Sequence, residues 1–178
     1  MAIGATIYRL PIELADLERN QFDSFDLHIA RHPSESTRYL VVRILARCLE
    51  HRERIELTRG VSDTELPAIV SRDLQGQLQL WLEVGAPSAK RVHKATSRAQ
   101  EVKVYVHKQV DTVRQELRSV RRASQVEVIW FEESLLLACE HALNRSSTWS
   151  ITRSDGVLYV EIDGQSCSGA IYSAQADQ

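Results

Sequence analysis

The sequence predicts an α/β fold with a mixed central sheet flanked by helices, and three observations lead there. Segments that alternate apolar and polar residues recur, as at Phe25, Leu27 and Ile29 and again at Val102, Val104 and Val106. Between them lie stretches with one apolar stripe at helical spacing, as at Leu40, Val41, Ile44, Leu45, Cys48 and Leu49. The chain has 178 residues, 43% of them hydrophobic and 26% charged, enough to bury a sizeable core. No repeat, low-complexity tract or Pro/Gly/Ser-rich linker interrupts it before its last dozen residues. A single domain over residues 1–178 is therefore expected.

Two extended segments open the chain, at Ala5–Leu14 and Phe22–Ile29, and predict an N-terminal hairpin. Pro33-Ser34 then starts a helix to about residue 50, with Ser34 placed to cap its free amides. A short strand at Ile55–Thr58 leads to a turn at Arg59-Gly60. Pro67–Arg72 and Gln77–Val84 read as a hairpin closed by Asp73-Leu74-Gln75-Gly76, where Asp at the first and Gly at the fourth position suit a type I turn. In its second strand Leu78, Leu80, Leu82 and Val84 share one face, which puts Gln79, Trp81 and Glu83 on a polar one. Gly85-Ala86-Pro87 ends that strand and Ser88 caps a helix to about Ala99. Then follow the Val102–Val106 strand, a polar helix near Gln109–Arg122, a strand Val126–Phe131 and a helix Glu132–Leu143. Ser154-Asp155-Gly156 joins Trp149–Arg153 to Val157–Ile162 in a C-terminal hairpin.

Several function classes are excluded on composition. No run approaches the roughly 18 continuous apolar residues of a membrane helix, and Met1–Ile7 lacks the basic region and apolar run of a signal peptide. Cys48, Cys139 and Cys167 are odd in number, far apart in sequence and free of CxxC spacing. A reducing, cytoplasmic setting with no disulfide-linked partner and no zinc site is the expectation. A net charge of −2 argues against capture of nucleic acid by the whole surface, while leaving room for a local basic patch.

Four strings are distinctive: Ala30-Arg31-His32-Pro33-Ser34-Glu35, Thr58-Arg59-Gly60, Leu80-Trp81-Leu82-Glu83-Val84-Gly85-Ala86-Pro87, and Lys94-Ala95. Through them the chain closely resembles the YaeQ family of Gram-negative bacteria over nearly its whole length. The resemblance implies a core like that of the PD-(D/E)XK nucleases, made of a helix, a three-stranded meander, a second helix and a further strand. Those elements occur here in that order. Fold does not carry activity with it, so function must be argued from the site.

Nucleases of that architecture use two or three carboxylates to hold a hard cation such as magnesium, which polarises the phosphate and activates water. A nearby lysine offsets charge on the phosphate oxygens. The resemblance puts Glu83 in the place of the second acid, the plainer alternative being a solvent-facing strand glutamate. A strict E-x-K would put the lysine at Gly85, which has no side chain. Glu83 stands about 7 Å before the loop along its strand, and Lys94 about 9 Å into the returning helix, so Lys94 can reach a similar height. Lys103, on the next strand, is a second lysine in reserve. The first acid stays open between Glu65, with Asp63 behind it, and Asp73. Hairpin geometry puts Leu66–Ala68 opposite Glu83 and Asp73 at the far tip, while a count of residues favours Asp73. Glu35 matches an auxiliary acid at the start of the first core helix, or serves only the helix dipole there.

Lys90, Arg91, Lys94 and Arg98 fall on one arc of a helical wheel, and with Arg31 they are the candidate phosphate contacts. Arg114, Arg118, Arg121 and Arg122 make a second basic face, read as solvated. The leading expectation is a magnesium-dependent nuclease acting on DNA or RNA, with Glu83 and one of Glu65 or Asp73 on the metal, Glu35 assisting and Lys94 stabilising the leaving state. The alternative, which Gly85 and Ala68 favour, is a non-catalytic adaptor that binds nucleic acid or protein through an inherited nuclease fold. Oligomeric state is not readable from the sequence.

Overall fold

The computed structural model describes residues 4–58 and 65–178; Arg59-Gly60 and Asp63 lie outside the described residues. The chain forms two compact units, one of residues up to Leu49 with Phe131–Tyr172, the other of Glu50–Trp130 with Ser173–Gln178. The fold is mixed α/β, with four α-helices among the described residues. No helix among them is long and apolar enough to cross a membrane.

The first unit starts with a long hairpin, β1 (Thr6–Asp16) and β2 (Gln21–Arg31), in antiparallel register from Thr6–Arg31 to Asp16–Gln21. Alternation along β1 buries Tyr8, Leu10, Ile12 and Leu14 on one face, as a half-buried strand requires. Helix α1 (Thr37–Leu49) follows. It begins later than the sequence suggests, because Ser36, not Ser34, accepts from the Tyr39 amide at 3.1 Å, while the Ser34 hydroxyl is 2.6 Å from the His32 ring. Both serines suit a cap, and local spacing does not choose between them.

Further along the chain come α4 (Glu133–Ala142), then β8 (Trp149–Ser154), β9 (Val157–Ile162) and β10 (Gln165–Gln175). Strand order in this unit is β2-β1-β8-β9-β10, with β1 and β8 parallel and β8, β9 and β10 joined as antiparallel hairpins. Asp155 and Gly156 both take positive φ, 51° and 74°, in the expected turn. Asp163-Gly164 repeats the device, at φ 48° and 83°, and starts the eleven-residue β10, which the sequence reading left unassigned. That second Asp-Gly was the available signal.

Helix α4 approaches β10 closely enough that a Cβ built at Gly169 would lie 2.7 Å from Leu135 Cβ and 3.1 Å from Glu132 Cβ. Gly169→Ala is therefore expected to destabilise by about 1–3 kcal/mol through overpacking, measured by urea denaturation. Arg38 of α1 clamps the other side of α4, reaching Glu133 at 2.7 Å and Glu140 at 2.6 Å.

The second unit holds β3 (Ile55–Leu57), β4 (Ile69–Arg72), β5 (Leu78–Val84), α2 (Ala89–Thr96), β6 (Glu101–Val106), α3 (Val110–Leu117) and most of β7 (Val126–Phe131). Its strand order is β7-β6-β5-β4-β3: β3, β4 and β5 form an antiparallel meander, and β5, β6 and β7 run parallel. Parallel neighbours need crossovers, which α2 and α3 supply. The predicted hairpin turn is present, with the Gly76 amide donating to the Asp73 carbonyl at 3.1 Å. Trp81, Val102, Val104 and Val128 pack with Val92 and Ala95 of α2 and with Val113 and Leu117 of α3. Strand β5 is covered on both faces, so the expected polar face through Trp81 and Glu83 is in fact buried, at 1% and 6% exposure. Alternation cannot tell a polar face from a covered one when the strand lies mid-sheet.

Candidate functional site

Glu83 sits one residue from the end of β5, on the face that carries Trp81. A carboxylate at that depth needs partners. It has two: Trp81 Nε1 donates to Oε1 at 2.8 Å, and Arg91 Nε donates to the same oxygen at 2.6 Å. Arg91 also donates to the Leu66 carbonyl at 2.6 Å. The plainer alternative of a solvent-facing strand glutamate is excluded by this burial. Ser88 aims the helix, its hydroxyl accepting from the Arg91 amide as the sequence led us to expect.

Helix α2 thus lies over the Glu83 face, and Lys94 stands one turn beyond Arg91. Lys94 Nζ meets Glu65 Oε2 at 2.8 Å. The Lys94 and Glu65 side chains are 39% and 73% exposed, against 8% for Glu83, so the two ion pairs differ in kind. An exposed pair contributes about 0–1 kcal/mol and opens readily. Removing one partner of a buried pair costs several times that. Glu65, Trp81, Ser88, Lys90, Arg91, His93 and Lys94 line an open cleft of about 530 Å³. His93 was not singled out from the sequence. Its spacing three residues from Lys90, on the same helical face, was the signal.

The other expected residues are placed elsewhere. Asp73 caps its own turn: Oδ1 accepts from the Gln75 and Gln77 amides at 2.9 and 2.8 Å, and Oδ2 from Gln79 at 3.0 Å. The register pairs Ile69 with Leu82, so Ala68 falls opposite Glu83 as hairpin geometry required, and Asp73 stands at the far end. Arg98 lies past α2, which ends at Thr96, so the helical arc stops short of it. There the Thr96 hydroxyl bonds back to the His93 carbonyl at 2.9 Å, and the chain tightens into a turn through the Arg98 amide on Ala95.

Glu35 belongs to the first unit and precedes α1. Its fully buried carboxylate pairs with Arg43 at 3.2 Å, and Arg43 also donates to the Ala30 carbonyl. Arg31 Nε donates to the Glu35 carbonyl at 3.0 Å. Both residues thereby tie down the approach to the helix. Arg114 and Arg118 both donate to the Gln178 carbonyl, and Arg122 to that of Thr96, so this basic face does more than meet solvent.

Gly85 has φ 101° and donates its amide to Tyr105 at 2.8 Å. A lysine at the E-x-K position would be strained in that conformation. Lys103, paired in register with Leu82, lies on the opposite face of the sheet from Glu83. There it joins a second charged cluster. Glu50, 4% exposed, accepts from Lys103 Nζ at 2.9 Å, from the Tyr105 hydroxyl at 2.8 Å and from Arg52 at 2.9 Å. Glu127 also pairs with Lys103 and Glu101 with Arg52, so three carboxylates face two cations. Burial pushes the Glu50 carboxyl up, but Lys103, the Tyr105 hydrogen bond and Arg52 outweigh it and hold its pKa below the ordinary carboxylate value. Burial likewise lowers the Lys103 ammonium, and Glu50 with Glu127 more than restores it, leaving the pKa raised.

The donor set does not fit a hard cation. Magnesium would need one or two unengaged carboxylates turned to a common point, with waters or substrate oxygens completing its octahedron. Glu83 is held by Arg91 and Trp81 and Asp73 by its own turn, which leaves Glu65, in an exposed pair with Lys94, as one loosely held carboxylate at the cleft. Among the described residues no group of three or more His, Cys, Asp or Glu side chains is arranged to hold a metal.

The family model described as YaeQ protein matches residues 1–171. The uncharacterized protein YaeQ of Escherichia coli (strain K12) is 33% identical over 168 residues, covering 92% of each chain, and that of Shigella flexneri matches to the same extent. The crystal structure of YaeQ protein from Xanthomonas axonopodis pv. citri superposes with a TM-score of 0.88 at 28% identity, covering 96% of this chain and 98% of that one. The crystal structure of YaeQ protein from Pseudomonas syringae gives 0.88 at 25% identity, over 94% of each.

Proposed function

Since the chain belongs to the YaeQ family, whose fold it shares over nearly its whole length, we propose that it binds the phosphate backbone of DNA or RNA along α2. It does so as a non-hydrolytic adaptor built on a PD-(D/E)XK nuclease-like core. The order α1, β3-β4-β5 meander, α2, β6 supports that core. One observation carries the choice of adaptor over nuclease: the buried Glu83 carboxylate is already neutralised by the half-buried Arg91 at 2.6 Å. An acid so engaged is a poor metal ligand, because magnesium binding would first have to break the pair. The cations that remain at the cleft, Lys90 and Lys94 with His93 beside them, suit a phosphate, which can displace Glu65 from Lys94 at little cost.

Binding follows from counterion release at a local patch, since the net charge of −2 rules out attraction by the surface as a whole. Fluorescence anisotropy with single- and double-stranded oligonucleotides is the test. Wild-type protein is expected to bind at low salt, with affinity falling as salt rises. Lys90→Ala and Lys94→Ala should each weaken binding of all sequences alike and reduce the salt slope by roughly one unit. Millimolar Mg²⁺ should neither raise the melting temperature nor start cleavage. Failure of every oligonucleotide to bind at low salt would overturn the reading. Cleavage that depends on Mg²⁺, and falls further than binding does in Lys94→Ala, would restore the nuclease.

A further inference from the structure

Cys139 and Cys167 are 28 residues apart in sequence, yet their sulfurs stand 3.8 Å apart. Their distance in sequence gives no sign of this approach. The approach is built into the packing of α4 on β10. Gly169, two residues from Cys167 on the same strand face, admits Leu135 against the backbone. Cys139 follows Leu135 by one helical turn, about 6 Å of rise, and Cys167 precedes Gly169 by two strand residues, about 7 Å. The two steps match, so a helix seated on the glycine brings the thiols together. All three cysteines are free; Cys139 is buried and Cys167 half-buried.

We propose that Cys139 and Cys167 are a dithiol site that closes to an intramolecular disulfide when hydrogen peroxide oxidises Cys167. Nothing in the nucleic-acid reading requires it. Cys167 is the entry point because its sulfur is the more accessible. Its thiolate attacks one peroxide oxygen, the O–O bond breaks, and hydroxide departs and is protonated to water, leaving a sulfenic acid. Cys139 then gives its proton to solvent and attacks the Cys167 sulfur; the S–O bond breaks, and the departing hydroxide takes up a proton from solvent to leave as a second water. With hydrogen peroxide the sum is two thiols plus one peroxide to one cystine and two waters. The sulfurs must close by about 1.8 Å to reach bonding distance, within reach of side-chain rotation at half-buried Cys167. Burial pushes both thiols up, which keeps the thiolate fraction small and makes the reaction with peroxide slow, so the close sulfur–sulfur approach and not an activated thiol carries the site. Cys48, fully buried with its thiol pushed up to about 12, takes no part.

The experiment treats the full chain with hydrogen peroxide, alkylates it under denaturing conditions and maps it by mass spectrometry. Expected are one alkylated thiol, at Cys48, a chain lighter by two hydrogens before alkylation, and a cross-linked peptide pair containing Cys139 and Cys167 that dithiothreitol separates. In Cys139→Ala the sulfenic acid at Cys167 should persist and be trapped by a dione probe. Three outcomes in the wild-type chain each overturn the proposal: Cys167 carried on to sulfinic acid with Cys139 still alkylated, a disulfide joining two chains, or three intact thiols at a peroxide dose that oxidises glutathione. The wild-type result decides even where the variant fails to fold.

Discussion

Glu50→Ala is expected to cost about 3 kcal/mol of stability, since removing one partner from a buried charged network strands the others. Lys103 and the Tyr105 hydroxyl would lose an acceptor they reach at 2.9 and 2.8 Å, and Arg52 would keep only Glu101 from the pair that holds it. The Lys103 side chain remains 18% exposed, which lets water recover part of the loss and keeps the figure below that of a sealed pair. Urea denaturation at neutral pH measures it. The same network sets a pH dependence. The folded pKa of Glu50 is lowered, so its contribution is present above the unfolded value near 4.5 and is lost as pH falls through the folded value. Lys103 is raised, so its contribution is present below 10.5 and is lost as pH rises through its folded value. The wild-type chain should therefore lose stability below about pH 4.5 more steeply than Glu50→Gln, which cannot titrate there. Parallel acid limbs in the two proteins would refute the assignment.

Arg91→Ala is the second large effect, expected to destabilise by about 2–4 kcal/mol. It leaves the Glu83 carboxylate, 8% exposed, with the Trp81 indole and no cation, and it releases the Leu66 carbonyl. The substitution also separates two roles for Glu83. If Glu83 is a structural counter-charge, Glu83→Gln in the Arg91→Ala background should recover much of the loss, because an amide still accepts from Trp81 and carries no charge to bury. If Glu83 is instead a metal ligand held in check by Arg91, the single Arg91→Ala variant should gain Mg²⁺-dependent thermal stabilisation that the double variant lacks. A double-mutant cycle followed by thermal melts with and without Mg²⁺ distinguishes the two. Recovery without a metal response is the expected result.

Much of this architecture was legible because it is local. The Asp73–Gly76 turn, the Ser88 cap, the strand at Val126–Phe131 and the Asp155-Gly156 hairpin each follow from a few adjacent residues, and each is present. The errors fall where two local solutions compete or a third partner intervenes. Ser34 and Ser36 are equally good caps by chemistry, and the His32 ring claims the first. The helix through Lys90 ends early because hydroxyl and backbone bonds near Thr96 close it before Arg98. Strand β10 went unassigned because Gln165–Gln175 carries serine, glycine and glutamine where alternation is sought. Its stability comes from β9 alongside, in register from Gln165–Ile162 to Ala170–Val157, and from the close seat of α4.

The candidate site divides the same way. The sequence by itself determined that Glu83 and Lys94 belong to consecutive elements, a strand end and the helix after it, and that Asp73 opens a turn, while the choice between Asp73 and Glu65 beside Glu83 waited on the strand register. Period and turn chemistry settle the local points, and both are properties of a single segment. Tertiary structure alone decided who neutralises whom. Arg91 rather than Lys94 takes Glu83, Glu65 takes Lys94, Arg43 takes Glu35, and Glu50 gathers Lys103 from across a strand. Ion pairing depends on which long, flexible side chains meet in three dimensions and on how much water each has lost, and neither quantity is written in residue spacing. The same holds for Cys139 and Cys167, whose proximity rests on one glycine that lets a helix touch a strand.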